Sequence, residues 1–334
     1  MRKVDLDLGP GWLPENVEAL ADLIARVGRG SPSYDPAHPP YAVFDWDNTC
    51  LAGDLGDAFF YGACRRAALP LREEAIWNVL TPSEEREALY AAWQAVASQA
   101  GNVNQAALAA FRWQMARSFR LLAQRIHDWA YAWQTQALAG LTPSQVEALT
   151  DLIIEEESRR PLGHEVLPAP DGRREAELIP QGLRLYPQMA ELRRRLEMAG
   201  IISWVVTATS EIIVRAGAHR LGFARERVLG TRSQLADGRI TGQIKETFAC
   251  GPGKVELIRR YIHPTQRPVL VVADGLTDRD MLEYGSDVRL VIDRGVPGLK
   301  ERAEAGRARG ERWLLQPPFP EVHGQHLTVA SQQI

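Results

Sequence analysis

Residues 41–53 read YAVFDWDNTCLAG, an apolar run that climbs into Asp45, continues through Trp46 to Asp47, and sets a hydroxyl at Thr49. Along an extended strand, residues two apart share a face, so the two carboxylates stand side by side where the run stops. One unpaired buried charge is costly, and two of like sign cost more. Either the acids splay into solvent or something cationic belongs between them.

The surrounding composition is that of a globular protein. The chain has 334 residues, 45% hydrophobic and 24% charged, with a formal net charge of −3. That length suits one large domain or two ordinary ones. The charge gives no reason to expect a nucleic acid, since the longest basic run is Arg193–Arg195 on an expected helix. The opening stretch carries Asp5 and Asp7 and lacks the apolar core of a secretory signal. No run reaches the roughly 18 apolar residues that a membrane span requires. Cys50, Cys64 and Cys250 show no paired spacing and read as reduced thiols of a cytoplasmic protein.

Outward from the opening stretch, residues 14–28 have helical amphipathicity and residues 28–40 form a Pro/Gly/Ser connector. Residues 54–160 are strongly helical, with apolar residues at intervals of three and four. Pro and Gly interrupt residues 161–187, which read as a boundary. Beyond it strand and helix alternate: helix at 188–200, strand at 201–208, helix at 210–222, and a hairpin turning at Asp237–Gly238. A helix opening at Gly253, a strand ending at Asp274, a short helix, and strands at 288–294 and 312–317 follow. Alternation of this kind predicts an α/β protein with a parallel sheet and helices on both faces. The strand at 41–47 belongs to that sheet, so the helical block is an insertion that leaves just after it. The expected division is a core of residues 1–52 and 186–334, with residues 1–40 an N-terminal helical arm, and an all-helical cap at 53–185 that includes the return linker.

Functional groups of open parallel sheets collect at the carboxyl ends of the strands. Three strands end there in polar residues: Asp45 to Thr49, Thr207-Ala208-Thr209-Ser210, and Asp274 to Asp278. Asp45, Asp47, Asp274 and Asp278 would thus converge. Unit charges about 4 Å apart repel by about 4 kcal/mol at an effective dielectric near 20, so a hard dication is expected among them. Oxygen-only ligands favour Mg²⁺. Lys254 and the helix start at Thr207–Ser210 would cradle a phosphoryl group.

In this order, FDWDNT, VVTATS, GKVEL and ADGLTDRD resemble the four motifs of the haloacid dehalogenase superfamily of phosphohydrolases, over residues 41–50 and 186–295. The resemblance implies a Rossmann-like fold with a cap, and Asp45 as a nucleophile that forms a phospho-aspartyl intermediate. It implies Asp47 as general acid and base, an acid that a dehalogenase lacks, and Thr207 as a phosphate ligand. Lys254 would hold phosphate and orient Asp45. Mg²⁺ would sit on Asp45, Asp274 and the main-chain carbonyl of Asp47, with Asp278 in support and Asp280 its competitor. Asn48 stands where Gly is usual, Thr207 where Ser is commoner, and Ala273 where Gly is usual.

The cap's position resembles the phosphoserine phosphatase-like branch, and several segments look most like phosphorylcholine phosphatase. Both activities imply a small phosphorylated metabolite with a cationic nitrogen nearby. Asp54 and Asp57, just after the first motif, are the candidate partners of that nitrogen, although Asp54 is equally suited to cap the next helix. Thr49 and Ala208 are further candidates for substrate contact. Trp77, Trp93, Trp113, Trp129 and Trp133 could supply an aromatic cage but at helical spacing also suit a core. His127, His164 and Arg215 read as surface or satisfied groups. The expected activity is Mg²⁺-dependent phosphomonoester hydrolysis. The alternatives are a phosphotransferase or mutase, and a non-catalytic phosphometabolite-binding protein, against which the intact Asp45 and Asp47 speak. The sequence leaves the oligomeric state open.

Overall fold

The computed structural model describes residues 6–71, 83–97, 104–126, 128–172 and 174–319. Tyr41–Phe44 (β1) is four residues long and buried throughout. Strands buried on both faces are the central strands of parallel sheets, and β1 takes that place. It pairs in parallel with Ile202–Ser210 (β6) on one side and Leu270–Ala273 (β9) on the other. With Val228–Ala236 (β7), Arg239–Lys245 (β8), Val288–Ile292 (β10) and Arg312–Gln316 (β11), the sheet order is β11-β10-β9-β1-β6-β7-β8. Only β8 runs antiparallel, closing the hairpin that turns at Asp237–Gly238.

Alternation along β1 divides the core. Tyr41 and Val43 join Leu257, Ile258, Met281 and Trp313 on one face, while Ala42 and Phe44 join Leu20, Leu23 and Leu192 on the other. Trp313 comes from β11, and the helices that supply the others are Pro14–Val27 (α1), Pro187–Met198 (α7), Pro252–Tyr261 (α9) and Arg279–Tyr284 (α10). Glu211–Ala218 (α8) follows β6, and Leu299–Ala308 (α11), a helix the sequence reading passed over, joins β10 to β11.

Between β1 and β6 the chain builds a helical cap. Its helices are Leu55–Arg65 (α2), Ser83–Ala97 (α3), Gln105–Ile126 (α4), Asp128–Gln136 (α5) and Pro143–Arg159 (α6). The last begins with Pro at N1 and a capping box between Thr142 and Gln145. The structure adds strands to this cap. Gly163–Leu167 (β3) and Glu177–Gln181 (β4) form an antiparallel ribbon within the stretch read as a linker. Ion pairs fasten it to the helices: Glu165 meets Arg112 and Arg160, and Glu177 meets Arg120.

The two connections of the cap also pair with each other. Leu51–Ala52 (β2) lies antiparallel to Arg184–Leu185 (β5). At their crossing Gly53 has φ +96, and a Cβ there would lie 2.6 Å from the carbonyl oxygen of Gly182. Nearby, Glu157 is 2% exposed and accepts from Arg65, Arg160 and the amide of Gly182. No helix among the described residues is long and apolar enough to cross a membrane.

Candidate active site

Past Phe44 the chain keeps one more ladder bond, from the amide of Asp45 to the carbonyl of Val272. It then turns sharply: the amides of Thr49 and Cys50 both reach the carbonyl of Trp46, and Asn48 adopts φ +57. Asn tolerates this left-handed conformation better than most residues, which is how it fills a position where glycine is usual. The turn aims Asp45 and Asp47 into different surroundings, so the two acids are not a simple side-by-side pair.

Asp45 is 6% exposed. Its Oδ1 accepts from Lys254 Nζ at 2.6 Å, and its Oδ2 accepts from Thr49 Oγ1 at 3.1 Å. The Lys254 ammonium, buried at the start of α9, also donates to Asp278 Oδ1. The hydroxyl of Thr49 faces Asp274 Oδ1 as well, again at 3.1 Å, while Asp274 Oδ2 accepts from Arg294 Nη1 at 2.6 Å. Asp278 turns its second oxygen to the amide of Gly275. Asp280 instead pairs with Arg279. Of the two competitors, Asp278 is the one that faces the cluster.

Asp47 points toward the cap. It accepts from the amide of Leu55 at 2.6 Å and from Thr209 Oγ1 at 2.7 Å. Asp54 is the N-cap of α2, accepting from the amide of Asp57 at 2.8 Å, and Asp57 accepts from Gln134 Nε2 at 2.6 Å. Burial pushes Asp47 well above the usual carboxylate range, with the charges of Asp54 and Asp45 adding to it. Burial and Asp54 raise Asp57 to about 8. Burial, then Asp45 and Asp278, raise Asp274 to about 7. Burial and Asp45 raise Asp278 to about 6, against Lys254. Burial disfavours the Lys254 ammonium, but Asp278 and Asp45 outweigh it and raise its pKa.

Asp45, Asp274 and Asp278 each offer an oxygen, and those atoms lie within 4.8 Å of one another. A buried, oxygen-only set of this kind fits Mg²⁺. The side chain of Asp47 stands apart from this trio.

Thr207 is buried at the end of β6, its hydroxyl accepting from the amide of Thr209 at 3.1 Å. The carbonyl of Ala208 is engaged by Thr231 Oγ1. Arg215 pairs with Glu211 and His164 is exposed. Trp113 and Trp133 are fully buried in the cap, and Trp93 packs against the same core and stacks on Tyr90. These rings are core, not a cage. Trp77, His127 and the side chain of Trp129 lie outside the described residues. A small cavity of about 10 Å³ adjoins Thr209, lined by Gly56, Phe59, Phe60, Tyr131 and Gln134.

Sequence reasoning missed Thr209, Gln134 and Arg294. Arg294 follows β10 as Asp274 follows β9, so the rule that active groups sit past strand ends would have found it. Thr209 lay inside a recognised motif. Gln134 carries no signal, because only the folded cap brings it to Asp57.

The profile of haloacid dehalogenase-like hydrolases matches residues 42–283, and the chain belongs to that family. No curated protein matches it in sequence. A solved structure of a conserved protein of unknown function from Anaerococcus prevotii DSM 20548 is similar, with 23% identity over 94% of each chain and a TM-score of 0.79. Another, of unknown function from Bordetella pertussis Tohama I, is 18% identical over 82% of this chain and 97% of that one, with a TM-score of 0.53. Both likenesses are of fold.

Proposed function

We propose that the protein is a Mg²⁺-dependent phosphomonoesterase that acts through a phospho-aspartate on Asp45. The observation that carries this reading is the division of labour between the two acids of the first motif. Asp45 is fixed by Lys254 and Thr49 beside Asp274, whereas Asp47 is held apart by Thr209 and Leu55 with a raised pKa.

An oxygen of Asp45 attacks phosphorus as the ester P–O bond breaks. Asp47, which burial pushes toward its protonated form, gives its proton to the departing alkoxide. It then takes a proton from the water that attacks the phospho-aspartate, releasing inorganic phosphate and restoring Asp45. Lys254 offsets charge on Asp45 and the transferring group, and Thr207 stands ready to donate to a phosphate oxygen. Asp45, Asp274 and Asp278 would hold Mg²⁺, with the carbonyl of Asp47, and the bound ion would neutralise charge on the phosphoryl oxygens.

The substrate class is a small phosphorylated metabolite that carries an amine or quaternary ammonium, such as a phosphoserine- or phosphocholine-like ester. Asp54 and Asp57 support this, since neither forms an ion pair among the described residues, and burial, with the charge of Asp54 added, disfavours an unpaired charge on Asp57. The cavity beside Thr209 has room for about one water. The buried thiols Cys50 and Cys64 suit a reducing, cytoplasmic setting.

A panel of phosphomonoesters with and without a cationic nitrogen, assayed on the wild type, Asp54→Ala and Asp57→Ala, tests the substrate class. A loss confined to the aminated esters is the expected result. An equal loss on all esters would reject these acids as the nitrogen's partners.

A further inference from the structure

The loop after β10 reaches a second cation into the site. Asp293 bonds through its amide to the carbonyl of Gln316 on β11, at 2.8 Å, and accepts the amide of Gly295 at 3.0 Å. Gly295 has φ +75. Gln316 is fully buried and tied to Leu13, Asn16 and Gly11 of the N-terminal arm. The turn is therefore anchored on both sides, and it sends Arg294 across the end of β10 toward the end of β9. There Arg294 Nη1 donates to Asp274 Oδ2 at 2.6 Å, while the Arg294 side chain stays 41% exposed. The other oxygen of Asp274 faces Thr49 and Asp45.

We propose that Arg294 is a positioning residue for the divalent cation, holding Asp274 Oδ2 so that Asp274 presents a single oxygen to the site. The inference rests on the reading of Asp274 as a metal ligand. Mg²⁺ demands near-ideal octahedral geometry and few protein oxygens, whereas Ca²⁺ accepts bidentate carboxylates and a larger, looser shell. A guanidinium on Oδ2 therefore favours the smaller ion by denying bidentate capture. Partners that orient a metal-binding carboxylate commonly cost about 10–100-fold in affinity when removed. A purely electrostatic role makes the opposite prediction: deleting a positive charge beside the site would tighten both cations alike.

The test is calorimetric titration of the full-length protein with Mg²⁺ and separately with Ca²⁺, in the wild type, Arg294→Ala, Arg294→Lys and Asp274→Asn. The expected result is Mg²⁺ binding weakened about 10-fold or more in Arg294→Ala, Ca²⁺ binding weakened less, and partial recovery in Arg294→Lys. Tighter binding of both ions, or an unchanged ratio between them, would overturn the proposal. If Asp274→Asn binds Mg²⁺ as the wild type does, the ligand assignment itself fails, and the role of Arg294 falls with it. Loss in Asp274→Asn without any change in Arg294→Ala would reject Arg294 alone.

Discussion

Asp45 and Asp274 face each other across one hydroxyl: Thr49 Oγ1 lies 3.1 Å from an oxygen of each. A hydroxyl has one proton to give, so it can satisfy one carboxylate at a time while the two remain close. Thr49 is fully buried. Thr49→Val keeps its shape and removes the donor, leaving one oxygen of each acid without the hydroxyl between them. The metal-free variant should lose about 1–3 kcal/mol of stability, Mg²⁺ should restore most of it, and Thr49→Ser should behave as the wild type. Chemical denaturation with and without Mg²⁺ reads this directly; equal stability of the metal-free wild type and Thr49→Val would contradict it.

Asp47 is assigned the proton of the leaving alcohol. Asp47→Asn should lower kcat by about 10²–10⁴ on alkyl phosphates. A good aryl leaving group needs little protonation, so formation of the phospho-enzyme from an aryl phosphate should fall much less. Rapid-quench measurement of the first turnover distinguishes the two substrates, and an equal loss on both would remove Asp47 from that role.

Asp57 has a pKa raised from 3.8 to about 8, first by burial and then by Asp54. The folded state thus binds this proton more tightly than the unfolded chain. Its contribution to stability is full below about pH 3.8 and is lost as pH rises through about 8. Asp57→Asn keeps an acceptor for Gln134 and removes the titration. Metal-free melting temperatures should coincide near pH 4 and favour the variant near pH 8. A variant less stable than the wild type at pH 8 would reverse the sign.

Glu157 ties α2, α6 and the returning strand through Arg65, Arg160 and Gly182. Both arginines are about a quarter exposed, so water recovers part of what a fully buried pair would lose. Glu157→Gln should cost roughly 2–3 kcal/mol in a denaturant titration. It should leave Mg²⁺ binding unchanged, because the network lies at the cap's connections and not at the carboxylate trio. Unfolding at the wild-type midpoint would show the network to be ornamental to stability.

Much of this architecture was legible because each signal was local and periodic. The buried run at 41–44, the alternation after residue 187 and the polar residues past three strand ends led to the sheet and to Asp45, Asp274 and Lys254. What escaped depended on pairing at a distance. The β3–β4 ribbon carries Val166 and Leu178 exposed on its outer face and is fastened by ion pairs to helices far away in sequence, so no apolar alternation announces it. The tryptophans illustrate the converse: helical spacing allowed a cage or a core, and only packing placed Trp113 and Trp133 inside. Of the two meanings of Asp54, the helix cap is the one the structure shows, with an oxygen accepting from the amide of Asp57; contact with a substrate nitrogen belongs to the proposal above.

The central claim is that Asp45 attacks phosphorus at a magnesium site. It is tested most directly by turnover of an aryl phosphate with and without Mg²⁺, comparing the wild type with Asp45→Asn and searching acid-quenched enzyme for phosphate on the peptide that contains residue 45. The account predicts Mg²⁺-dependent turnover and phosphate on that peptide in the wild type, with both lost in Asp45→Asn. Turnover that survives the substitution, or proceeds unchanged without a divalent ion, would contradict it.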